Sequence, residues 1–164
     1  MAPRRKKSRR YRKLRSSFLM SCLFLTGLAM WAVTYGVKQE MLIHPSEMTS
    51  QGGASYTTIL PESPYWLLEN LTDSTKDPQR SKTELFENDL PLGPPHTAHE
   101  SIRDEGSGQF SHWGSALYFS SSDNTDPRTN HRRYKVVVTA TSPVWMLALL
   151  MPCLLLSLYL SLRL

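Results

Sequence analysis

The side chains best suited to chemistry in this 164-residue chain are few and scattered. His96-Thr97-Ala98-His99 has the spacing of two metal ligands on one helical face. It follows Pro94-Pro95, which places it in a loop, and the sequence supplies no third ligand beside it. Metal binding is therefore not expected there. Asp123, Asn124 and Asp126 offer oxygen ligands but lack the glycine and distal glutamate of a calcium loop, so they read as turn formers. The five histidines are dispersed and receive no chemical role. H-E-x-x-H, G-x-S-x-G, Walker A and paired C-x-x-C motifs are all absent. The chain is expected not to be an enzyme and to hold no cofactor.

Two features carry chemistry of another kind. Asn70-Leu71-Thr72 has the form of an N-glycosylation acceptor, with Asn70 as the modified residue. Near the N-terminus, Arg4, Arg5, Lys6, Lys7, Arg9, Arg10 and Arg12 form a dense cationic cluster. Such a cluster suits anionic lipid headgroups or a sorting receptor. Nucleic-acid binding also fits clustered cations, but the adjoining segment argues against it.

That segment, 18–37, reads FLMSCLFLTGLAMWAVTYGV, twenty residues without an ionisable acid, base or histidine. A second run, 144–162, reads VWMLALLMPCLLLSLYLSL and is likewise uncharged. Each is long enough as a helix to span the roughly 30 Å hydrocarbon core of a bilayer. Charge is segregated around them. Nine of the nineteen Lys and Arg fall in residues 4–15, whereas all fourteen Asp and Glu fall between Glu40 and Asp126. Average figures, a mean hydropathy of −0.34 and a pI near 9.4, conceal this.

The fold class expected is a membrane protein: two transmembrane α-helices flanking a largely disordered loop with a small β-hairpin. Residues 1–17 form a basic cytosolic tail, 18–37 a signal-anchor helix, 38–143 a lumenal or extracellular loop, 144–162 a second transmembrane helix and 163–164 a stub. Placement follows as integral to the membrane of the endoplasmic reticulum, secretory pathway or cell surface, with the N-terminus cytosolic. Partners are the lipid bilayer, anionic lipids at the tail and other membrane proteins, with no nucleic acid. Cleavage after Gly36 is the alternative, leaving a single-span surface glycoprotein. Cys22 and Cys153 both lie inside the apolar runs, so the loop has no disulfide framework.

Within the loop, polar and proline-rich composition predicts disorder. Three stretches stand out. Ser63–Leu71 has a Ser-Pro start and reads as a capped helical turn, presenting Tyr65, Trp66, Leu67 and Leu68 to a partner or membrane surface. GSALYFSS from Gly114 and RYKVVVTAT from Arg133 read as a hairpin over 114–141, with Tyr118 and Tyr134 as cross-strand aromatics. YTTIL from Tyr56 could add a third strand. The function expected is a non-enzymatic integral membrane protein acting through partner binding, in assembly, trafficking or as an envelope accessory. A subunit or shortened form of a membrane-bound glycan-processing enzyme is the further alternative.

Overall fold

The computed structural model describes residues 17–28, 30, 31, 36–64, 68–143, 145, 152, 155 and 159. The chain divides into two units, residues 1–36 with 142–164, and Val37–Thr141. In the first unit, residues 17–28 are helical (α1), as are 30 and 31. Ser21 Oγ donates to the Ser17 carbonyl one turn back at 3.0 Å.

The expected pair of membrane helices does not stand. Among the described residues, no helix is long and apolar enough to cross a membrane. Val37, counted above as the end of the first apolar run, belongs instead to the first strand of the second unit. Gly36 just before it is non-helical, with φ +69°. Of the second run only Trp145, Pro152, Leu155 and Tyr159 are described, all of them helical, and the rest lies outside the described residues. The integral-membrane placement and cytosolic N-terminus fall with that premise.

The disordered loop is also overturned. Val37–Thr141 folds as two antiparallel sheets. The first has the order β1 (Val37–Ile43), β9 (Tyr134–Thr141), β5 (Glu84–Glu87), β6 (Leu90–Pro91), and β4 (Glu69–Asn70) also pairs with β9. The second has the order β2 (Thr49–Ser50), β3 (Tyr56–Ile59), β8 (Ala116–Phe119), β7 (Phe110–Trp113). A six-residue helix, α2 (His99–Asp104), buries Ile102.

β9 organises the first sheet. Its sequence YKVVVTAT is rich in β-branched residues, and seven of its eight residues are buried. It pairs with β1 from Val37↔Ala140 to Ile43↔Tyr134, and with β5 from Glu84↔Val137 to Glu87↔Tyr134. Between the sheets lies one core of Ile43, Met48, Tyr56, Leu60, Leu85, Phe110, Leu117, Phe119, Tyr134, Val136 and Val138. Phe119 sits at its centre, with ring centroids 5.6 Å from Tyr134 and 6.5 Å from Tyr56. This is the interdigitation expected of stacked sheets.

The expected hairpin is therefore divided between two sheets. Ala116–Phe119 pairs with β7 and β3, while Tyr134–Thr141 pairs in the other sheet. Phe119, rather than Tyr118, meets Tyr134. The reason is local. Trp113↔Ala116 closes a two-residue turn, Gly114-Ser115, with Gly114 at φ +61° in the position a tight hairpin reserves for glycine. β8 thus takes its partner from the preceding residues. The strand expected from YTTIL is present as β3.

Candidate functional site

Two places in the β unit gather unusual chemistry. The first is a polar cluster along the outer edge of β7. Asp73 N–H donates to the His112 carbonyl at 2.8 Å, and Phe110 N–H donates to Pro94 O at 3.2 Å, so two loops run beside this strand. They bring together residues distant in sequence. The Asp73 carboxylate lies 3.0 and 2.9 Å from His96 Nδ1 and accepts from the Ser81 amide at 2.8 Å. Ser81 Oγ donates to Thr83 Oγ1 at 2.9 Å, and Thr83 Oγ1 lies 2.7 Å from His112 Nδ1. Since Thr83 accepts from Ser81, its own hydroxyl proton points at His112, which makes Nδ1 the acceptor and leaves the proton on Nε2. That nitrogen is buried and has no hydrogen-bond partner. Burial drives the His112 pKa down to about 4, against an opposing pull from the Asp73 charge. His99 stacks on Tyr118 at 3.9 Å and meets the edge of Trp113 at 5.9 Å; burial, then Arg103, lowers its pKa.

His96 adopts φ +59°, uncommon for a residue with a side chain, and its side chain is 22% exposed over an Asp73 that is 1% exposed. An imidazole fixed by a carboxylate can pass a proton. Yet no Ser, Thr or Cys side chain among the described residues is hydrogen-bonded to His96. No group of three His, Cys, Asp or Glu among them could hold a metal ion. His96 and His99 have separate partners, Asp73 and Tyr118, so their ligand-like spacing is not used as a pair. The cluster orders β7 and its flanking loops.

The second place is a groove where the edges of the two sheets part. It has a volume of about 420 Å³ and is lined by Met41, Leu42 and Ile43 of β1, by Thr58–Pro61 at the end of β3, and by Glu47 and Val136. Leu42 and Ile59 are 64% and 67% exposed, so apolar side chains face solvent from two of the groove's walls. Ile43, Leu60 and Val136 tie its floor to the core. β1 is seven residues long and, among the described residues, its only strand partner is β9. Gln39 Nε2 donates to Ser63 Oγ at 3.4 Å, linking β1 to the segment that follows Pro61.

Of the residues singled out from sequence, Asn70 lies in β4 rather than in a helical turn. Its Nδ2 donates to Pro61 O at 3.0 Å, while its Oδ1 is buried without a partner. Leu68 is half-buried and lines the same shallow hollow as Asn70 and Thr72. Tyr65, Trp66 and Leu67, and the cations Arg4, Arg5, Lys6, Lys7, Arg9, Arg10 and Arg12, lie outside the described residues. The Asp73–His96–His112 cluster and the β1 groove escaped sequence reading. A residue-by-residue search for ligand spacing cannot see loops folding back along a strand.

The fold and these sites define a small two-sheet β domain whose longest edge strand, β1, has no outer strand partner among the described residues. The chain matches no family model, no curated protein and no solved structure. The role expected above, a double-spanning membrane protein acting through partners, is corrected on the absence of any suitable helix among the described residues. Its alternatives, a single-span surface glycoprotein and a subunit of a membrane-bound glycan-processing enzyme, assumed the same membrane architecture and are withdrawn with it.

Proposed function

We propose that the β domain is a non-enzymatic binding module that captures an extended polypeptide segment by adding it to the edge of β1. One observation carries this reading: a seven-residue strand with no outer strand partner among the described residues runs beside an apolar groove. An unpaired strand edge offers a row of amide and carbonyl groups to an incoming strand. The alternate side chains of that strand need pockets, and the groove beneath Leu42 and Ile59 supplies apolar surface for them. Edges not meant for pairing are usually short, bulged, blocked by proline or charged with lysine; VKQEMLI is long and free of proline, and its one lysine, Lys38, is held by Glu84.

Amide hydrogen exchange of the full-length chain tests the reading. The probe is a capped decapeptide of five Thr-Val repeats, neutral and strand-forming. It is expected to slow exchange at alternate amides of β1, while the same peptide with a central Val replaced by Pro has no effect. Leu42→Lys with Ile59→Lys, both at exposed positions, is expected to abolish the protection. Unchanged β1 exchange at saturating peptide would refute the module.

A further inference from the structure

We infer that the segment added to β1 is cationic, an extended strand in which Lys or Arg alternates with apolar residues; this rests on the edge-binding reading above. The argument comes from charge. Glu40 lies on β1, Glu47 lines the groove, and Glu62 follows Pro61 at its end. All three are exposed, and among the described residues none forms an ion pair. The one cation on β1, Lys38, is already engaged, with Nζ 2.5 Å from Glu84 Oε1.

The contrast with the other side of the same sheet is instructive. Around β5 and β6 the charges neutralise one another. Arg133 pairs with Asp89, Lys135 Nζ lies 3.5 Å from Asp89, and Arg132 bridges Glu87 and Asp123. Apart from exposed Glu69 on β4, that side satisfies its own charge, whereas the β1 side presents three carboxylates beside apolar surface. A strand docked there places alternate side chains in the groove and the others toward solvent, within reach of those carboxylates. Positive side chains at the outward positions complete the pattern. Like-charged ones are repelled, and this sets specificity more than raw affinity. Glu40 on β1, Glu47 in the groove lining and Glu62 just past Pro61 are three separate positions, so the preference is for a row of cations rather than a single one.

Three capped decapeptides of Lys-Val, Thr-Val and Glu-Val repeats, titrated against the full-length chain at 50 mM salt, test the inference. Binding is read by β1 amide protection and by calorimetry. The Lys-Val peptide is expected to bind about tenfold or more tighter than the Glu-Val peptide, a gap that closes at 500 mM salt. Joint substitution Glu40→Gln, Glu47→Gln and Glu62→Gln is expected to erase the gap, so that the Lys-Val and Glu-Val peptides bind alike. Gln at 47 keeps an acceptor for the His44 amide, so the variant retains the cap at Pro45–Glu47. Equal binding of the charged peptides, or a gap that survives the triple substitution, overturns the cationic preference while Thr-Val protection leaves the edge site standing. Protection of β1 that rises with protein concentration and needs no peptide makes the occupant a second copy and overturns the inference. If no peptide protects β1, both readings fail together.

Discussion

Acidification should destabilise this domain in a window set by one buried imidazole. His112 is 1% exposed, accepts a hydrogen bond from the Thr83 hydroxyl on Nδ1, and has no hydrogen-bond partner for Nε2. Adding a second ring proton would set two donors against each other at Thr83 and place a charge in the interior. The folded-state pKa is accordingly about 4, against an ordinary 6.5. The unfolded chain binds the proton first as the pH falls, so this contribution is full above pH 6.5 and is lost progressively down to about pH 4. At about 1.4 kcal/mol per pH unit of separation, the domain loses about 2.5 kcal/mol between pH 7.5 and 4.5 from this residue alone. The assay is denaturant unfolding at pH 7.5, 6.5, 5.5 and 4.5 for the wild type and His112→Gln. Glutamine keeps an acceptor for Thr83 and does not titrate. The wild-type curve should fall relative to the variant by about 2.5 kcal/mol across the series, with His99 common to both. A wild-type minus variant difference that stays constant with pH would refute the account of His112 as a buried neutral base.

Other consequences can be checked directly. Gly53 sits at φ +55° with the Arg103 carbonyl 2.2 Å from where a Cβ would stand, so Gly53→Ala should lower stability by about 2 kcal/mol or more in thermal melts. Burial alone would raise the Glu87 pKa, but hydrogen bonds from Ser122, Tyr134 and Arg132 outweigh it and hold it low. Arg132→Met leaves that carboxylate without its cation and should lower the denaturant midpoint at pH 7, much of the loss being recovered by adding Glu87→Gln. The low Glu87 pKa also means that its stabilising contribution is present above the ordinary carboxylate range and disappears as the pH falls below it, a window more acidic than that of His112. Phe119→Ala should remove about 3–5 kcal/mol, since the ring is fully buried between Tyr56 and Tyr134.

The strands of this domain were partly legible, and their partners were not. VVVTAT and ALYF announce themselves through β-branched and aromatic residues, but such runs carry no information about which strand lies beside them. A two-residue turn at Gly114-Ser115 was the decisive clue, overlooked because the longer polar stretch after Ser121 resembles a loop between the two most obvious strands. The region from Leu71 to Gly108 reads as disordered because it has few apolar residues. Its order comes from elsewhere: Asn88 and Asp89, both at positive φ, turn β5 into β6, and Asp73, Ser81, Thr83 and His112 form a buried hydrogen-bonded network. Composition rules count apolar side chains and miss this kind of cohesion. The membrane reading rests on apolar run length and charge segregation, neither of which registers that Val37 is claimed by a strand. Nothing in the local sequence distinguishes buried His112 from exposed His131; only the tertiary fold does.

β1 opens the domain and β9 closes it, and each residue from Val37 to Ile43 waits for a counterpart between Tyr134 and Ala140. β4 and β5 wait for the same strand. During synthesis on the ribosome, nearly a hundred residues must therefore emerge before the spine that unites the first sheet exists. Until then β1 and β4 are exposed polypeptide with no ladder to join, and β5 has only its short hairpin with β6. Such long-range closure makes for slow assembly. It also means that a chain interrupted before Tyr134 does not leave a smaller version of this domain, but at most β1, β4 and a β5–β6 hairpin without the strand that unites them.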